Sequence, residues 1–168
     1  MSIPLHSTTQ DTIIELRPYE DSDRIVLETF KLQDDQTSFV ALPKQILQIS
    51  IEDPCRFPAV IVTAKTIVGF FVLHHGHGIL EFSDNPRALL LRGLSINQFH
   101  QGKGYGGKAM QLLPNWARDI FPNFEEMVLA VNADNTSAKK LYEKTGFEFK
   151  GITRMGPNGL QYMMHHPL

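Results

Sequence analysis

Apolar positions in this chain come in short dense runs, separated by polar stretches rich in Gly, Asp, Asn and Pro. Ile13-Ile14-Glu15-Leu16-Arg17-Pro18 predicts a first strand ended by proline. Asp21 is placed to cap a helix carrying Ile25, Val26 and Leu27, and a second helix over Leu42–Ile51 opens with Pro43 in its first turn. The β-branched and aromatic runs Ala59–Thr63 and Ile67–Leu73, joined by a very short connection, predict a hairpin. After a loop over residues 75–86, the run from Leu89 to Ile96 reads as a buried strand. Ala109, Leu112, Leu113, Trp116, Ala117 and Ile120 recur at helical spacing, and Pro114 inside that stripe should kink the helix. Met127–Val131 is a further strand. Asn135 caps a helix over Thr136–Thr145 that puts Ala138, Leu141 and Tyr142 on one face and stops at Gly146. Phe147–Arg154 and Leu160–His165 form a last hairpin.

Strands outnumber helices, come mostly in hairpins, and include one strand–helix–strand crossover. The expectation is a mixed α/β (α+β) fold: one domain over residues 1–168, with a mostly antiparallel twisted sheet flanked by helices and a loose lead-in over residues 1–10. A hydrophobic content of 42% supplies a core. Sixteen Lys and Arg against eighteen Asp and Glu give a net charge of −2, which argues against a nucleic-acid binder. The single Cys55 rules out an internal disulfide and suits a reducing compartment. Residues 66–80, the most apolar uncharged run, are too short to span a bilayer, and the N-terminus lacks a signal-peptide layout. The expectation is a soluble cytoplasmic protein that uses no membrane.

The chemistry concentrates in Gln101-Gly102-Lys103-Gly104-Tyr105-Gly106-Gly107-Lys108, between a strand and a helix start. Glycines there admit positive φ and close approach, while free N–H groups and the helix dipole favour a phosphate. Three patterns fit. Gly102, Gly104 and Gly107 match G-x-G-x-x-G, with Glu125 or Glu126 at the distance of a ribose contact, but the preceding hairpins are not the βαβαβ pattern this requires. Gly102, Gly107 and Lys108 approach a P-loop, yet Ala109 stands where the magnesium-holding hydroxyl belongs. In the third, Gln101-x-x-Gly104-x-Gly106 resembles the acyl-CoA loop of the GNAT family of N-acetyltransferases, Q/R-x-x-G-x-G/A. Some thirty residues on, Asn135-x-x-Ala138-x-x-x-Tyr142-x-x-x-Gly146-Phe147 is similar to that family's second signature in full. The two motifs together cover residues 89–150.

The resemblance implies a GNAT-like domain that uses acetyl-CoA and no metal, and acetylates a primary amine of a small molecule by direct attack in a ternary complex. It implies that the main chain of Gln101, Gly102, Lys103, Gly104, Tyr105, Gly106 and Gly107 cradles the pyrophosphate. The pantetheine arm would pair like an added strand with Leu94, Ser95 and Ile96. Asn135 would help position the cofactor, and it could equally be a plain helix cap. Tyr142 would donate a proton to the departing CoA thiolate. Its other reading is a core aromatic. Acetylation of a protein N-terminus or lysine, and a non-catalytic acyl-CoA-binding module, are the other readings; a homodimer stays open.

Family members often carry an acid on the strand before the loop, and Arg92 stands there instead. Glu81, Asp84 and Glu28 are the other candidates for a base. Asp34-Asp35-Gln36-Thr37-Ser38-Phe39-Val40 loosely resembles the acceptor segment of bacterial diamine and polyamine acetyltransferases. Arg92, if it faced the pocket, would repel a polyamine and would suit a carboxylate. Phe30, Phe39 and Phe57 could line an acceptor pocket or the core. Lys139 and Lys140 should face solvent, within reach of a ribose phosphate. Of the histidines, His75 and His77 would share a strand face with His74 opposite; with His165 and His166, and no cysteine or carboxylate nearby, they do not form a metal-ligand pattern.

Overall fold

The computed structural model describes residues 13–33 and 40–168. Its described strands form one seven-stranded sheet in the order β1-β2-β3-β4-β5-β7-β6. The strands are β1 (Ile14–Pro18), β2 (Arg56–Thr63), β3 (Thr66–His74), β4 (Ala88–Ile96), β5 (Glu126–Asn132), β6 (Glu148–Gly156) and β7 (Gly159–Pro167). All neighbours are antiparallel except β4 and β5, whose ladder pairs Ala88, Leu89 and Leu90 with Glu126, Met127 and Val128. A parallel pair needs a crossover, supplied by α3 (Tyr105–Ile120), as the sequence pattern predicts.

Two helices precede β2: the single turn α1 (Arg24–Glu28) and α2 (Pro43–Glu52), which starts on Pro43 as expected. The expectation of a helix capped by Asp21 is corrected here. Residues Asp21–Asp23 form a 3₁₀ turn, and Asp23 is the organising carboxylate. It accepts two hydrogen bonds from the Arg17 guanidinium at 2.8 Å and one from the Glu20 N–H. The Arg17 bond lowers the pKa of Asp23. Only Leu27 of the three expected apolar positions is buried; Ile25 and Val26 face outward. α3 continues through Pro114 to Ile120 as one helix.

The sheet is covered on both faces. On one, α3 lays Ala109, Met110, Leu113 and Ala117 over Phe71, Leu89, Leu91 and Leu129, and α4 (Thr136–Lys144) adds Ala138, Leu141 and Tyr142 at the edge of the same cluster. On the other, Leu27, Phe30 and Leu47 cover Val60, Phe70 and Val72. A separate cluster there joins Ile79 to Leu90, Val128 and Met163. Burying such side chains stabilises by about 1.5–3 kcal/mol each, so no cross-link is required.

The register decides where a ligand fits. β4 and β5 stay paired only as far as Leu90 and Val128; beyond that, β5 pairs with β7 while β4 runs on to Ile96. The β3–β4 ladder slips between Phe70 and Val72, so that Val72 faces Arg92 and Phe70 faces Ser95. Gly93 takes up the extra residue at φ +66°, where an added Cβ would strike Ile46 of α2. The sheet therefore splits into a fork, open along Leu94, Ser95 and Ile96.

Candidate active site

The fork opens into a cleft of about 630 Å³. One wall is the end of β4, with Leu94, Ser95 and Ile96; the floor is the glycine loop; the other wall is Asn135, Ala138, Leu141 and Tyr142 of α4 and its cap. Gln101, Gly102, Gly104, Tyr105, Gly106 and Gly107 all line it. Of the residues expected at the cofactor, Lys103 alone does not line the cleft; it is exposed on the loop.

The local chain explains the cradle. Gly102 and Gly104 sit at φ +78° and +80°, and a Cβ built on either meets nothing within 4 Å. The backbone conformation asks for glycine, and the space above both positions is free for a ligand. Gly104 is the N-cap of α3, so the N–H groups of the first helical turn have no partner within the helix and point out of its N-terminus. The Gln101 side chain donates to the carbonyl oxygen of Ile96 at 2.9 Å, fastening the loop to the end of β4. Ser95 Oγ is buried without a hydrogen-bond partner among the described residues, at the edge of the cleft. These features suit a diphosphate held by main-chain donors, with an extended arm along β4, which is the shape and chemistry of a coenzyme A thioester.

Asn135 caps α4, its Oδ1 accepting the Ala138 N–H at 3.3 Å, and the residue also lines the cleft. The Tyr142 ring lies 6.1 Å from that of Phe147. Burial pushes its phenol up to about 12, so it keeps its proton through the physiological range.

Other expectations are sorted by the fold. Glu28, Glu81 and Asp84 are exposed and do not line the cleft, whereas Asp134 does. Leu32, Val40 and His100 also line it; Val40 is the last residue of the polyamine-like segment, and no sequence pattern marks Leu32 or His100. Of the polyamine-like segment, residues 34–39, including Phe39, lie outside the described residues. Phe30 belongs to the core under α1 and α2, and Phe57 packs on Trp116 and Phe121, so neither lines the cleft. Cys55 is a half-buried free thiol.

The strand alternation expected for the histidines breaks down because β3 ends at His74 and His77 belongs to a 3₁₀ turn. His75 packs on Phe121 and Phe124, His165 bonds Glu126 and His166 stacks on Phe147. Among the described residues no group of three or more His, Cys, Asp and Glu side chains could hold a metal. Lys139 lies over the Tyr162 ring at 4.7 Å and beside Glu143, turned from the cleft, while Lys140 is exposed as expected.

Comparison with known proteins agrees with this geometry. The family model for the acetyltransferase (GNAT) family matches residues 16–147. The uncharacterized N-acetyltransferase YbbJ of Bacillus subtilis strain 168 is 44% identical over 159 residues, covering 94% of this chain and 98% of its own. The spermine/spermidine N(1)-acetyltransferase of the same strain is 25% identical over 138 residues, covering 82% and 90%. The crystal structure of aminoglycoside acetyltransferase AAC(6')-Ib in complex with coenzyme A and kanamycin superposes with a TM-score of 0.76 over 92% of this chain and 95% of its own, at 21% identity.

Proposed function

Since the chain belongs to the GNAT acetyltransferase family, we propose that it transfers the acetyl group of acetyl-CoA directly to a primary amine of a small molecule, in a ternary complex formed at the β4–β5 fork. The observation that carries this reading is the cleft itself, in which both sequence motifs meet. The glycine loop and helix N-terminus form its floor, an open strand edge and Tyr142 its walls. The relatives named for small amines, spermine and spermidine among them, support the acceptor class.

The bound coenzyme supplies an activated acetyl thioester at the far end of its arm. The neutral amine nitrogen attacks the carbonyl carbon, a C–N bond forms and the C–S bond breaks. The departing sulfur takes the Tyr142 proton, and the excess proton on nitrogen passes to solvent or back to the phenolate. A protonated phenol at pH 7 is the form this role requires, and burial provides it. The exposed peptide groups of Leu94–Ile96 give the arm a strand to pair with. With Arg92 where relatives often carry an acid, no carboxylate on β4 can serve as base. Asp134 lies at the opposite wall of the cleft.

No helix among the described residues is long and apolar enough to cross a membrane. The free thiol of Cys55 supports a reducing, cytoplasmic setting. The test is calorimetry with CoA, ATP and NAD, followed by thiol release from acetyl-CoA with a panel of amines. Heat with CoA alone and amine-dependent thiol release are expected; no heat with CoA would overturn the reading. Heat without release from any amine would leave an acyl-CoA-binding module.

A further inference from the structure

The face of the sheet opposite α3 carries its two apolar clusters apart, one under α1 and α2 and one around Ile79. The seam between them is polar and basic. Arg92 of β4 lies in it two residues beyond Leu90, the last position paired with β5, so its side chain stands beside the fork. Its Nη1 donates to His74 Nδ1 at 3.1 Å, and its guanidinium carbon is 5.7 Å from the centre of the Phe82 ring. Arg154 of β6 stacks on the same ring at 4.2 Å and donates to Gln161 at 2.6 Å.

The charges in the seam do not balance. Arg56 is paired with Asp53 at 3.3 Å, and Arg154 with the exposed Glu81 at 3.3 Å. Arg92 is half-buried, and among the described residues no carboxylate lies within 4.0 Å of it. Its only hydrogen-bonded neighbour among the described residues is the His74 imidazole, whose pKa is lowered to about 4 by burial and by Arg56 and Arg92, and which is therefore neutral. A guanidinium withdrawn from water, repelled by two others and given a neutral partner is short of one anion.

The position of Arg92 says where that anion would come from. The glycine loop fixes the phosphate end of the cosubstrate below Ile96, and Arg92 is four residues back along β4, about 13 Å at the rise of a strand. Arg92 is not part of the cleft wall, which ends on β4 at Leu94; it lies two residues past that end, on the side towards which an arm paired along Leu94–Ile96 would carry its acetyl group.

Resting on the acetyl-CoA reading of the cleft, we propose that the acceptor is an amine that also bears a carboxylate, an amino acid or a close relative of one, and that Arg92 receives the carboxylate with Arg154 beside it. A planar guanidinium takes a carboxylate through two parallel hydrogen bonds. The same three arginines repel a polycation, which separates this chain from its relative named for spermine and spermidine.

Matched acceptors test this: lysine against cadaverine and ornithine against putrescine, each pair differing only in the carboxylate. Thiol release should give the carboxylate member a kcat/KM at least tenfold higher. Arg92→Gln should raise its KM roughly 10- to 100-fold and narrow the preference, and Arg92→Lys should recover part of it. The heat of CoA binding should persist in both variants and reports that they are folded. Equal or better turnover of the decarboxylated members, or no turnover of any carboxylate amine while CoA still binds, overturns the inference and leaves acetyl-CoA binding standing. Absence of any CoA heat from the unaltered protein removes the underlying reading as well.

Discussion

Gln101 Nε2 donates to the carbonyl oxygen of Ile96 across 2.9 Å, closing the stretch between the end of β4 and the glycine loop. That bond fixes the floor of the cleft relative to the strand along which the coenzyme arm is expected to lie. It also uses an acceptor on β4 that would otherwise face the ligand or water.

Removing the bond should loosen the cradle without touching the reacting atoms. Gln101→Ala is expected to raise the KM for acetyl-CoA roughly 3- to 10-fold, the worth of one hydrogen bond, with kcat within about twofold. Steady-state kinetics at saturating amine would show the split. A fall in kcat at constant KM would mean that Gln101 acts at the acetyl end instead.

Tyr142 should show the opposite split. Its phenol is pushed up to about 12 by burial and takes no hydrogen bond from any described residue, leaving the O–H free for a ligand. Tyr142→Phe keeps the ring against Phe147 and deletes only that proton. The expected result is a kcat lowered more than tenfold with the KM for acetyl-CoA nearly unchanged. Unaltered kcat would reduce Tyr142 to a packing residue.

How much of this could be read from the chain depends on how local the information is. The glycine loop and the Asn135–Phe147 segment are each contiguous, and their geometry follows from their own residues: positive φ at Gly102 and Gly104, a side-chain cap at Asn135. The hairpins were legible for the same reason. The far wall of the cleft was legible only in part: Val40 closes the segment that resembles a polyamine acceptor site, whereas Leu32 reaches the cleft from sixty residues upstream as a single apolar position without a period. The seam around Arg92 was not legible. Its contact with His74 depends on the slip in the β3–β4 ladder, and a one-residue change of register would send both side chains to other neighbours. Ile25 and Val26 misled because apolar character alone does not say which side of a single helical turn meets the core.

The β2–β3 turn offers a test of backbone strain. Ala64 and Lys65 occupy φ +46° and +67°, a left-handed pair that suits a two-residue hairpin but neither residue type. Lys65→Gly relieves a conformation whose strain is on the order of 1 kcal/mol, partly offset by the greater freedom of glycine in the unfolded chain. A rise in Tm of about 1–3 °C is expected by calorimetry, with acetyl transfer unaffected because the turn is not part of the cleft. A lower Tm would mean that the lysine side chain contributes more than its backbone strain.

His74 should set a pH limit on the folded state. Its ring is buried and next to Arg56 and Arg92, so its pKa falls from the ordinary 6.5 to about 4. The unfolded chain then takes up a proton that the folded protein refuses throughout that interval. Stability contributed by the neutral ring is complete above about pH 6.5 and declines as the pH drops towards 4, by at most roughly 3 kcal/mol. Asp23, whose pKa is lowered by Arg17, adds a second loss only below its ordinary 3.8, so the two windows are separate. Urea unfolding of the whole protein between pH 7 and 4 should show a falling midpoint. His74→Asn, whose carbonyl can still accept from Arg92, should flatten that slope while leaving the loss below pH 4 in place. An identical slope in the variant would assign the acid sensitivity to other groups and remove His74 as its source.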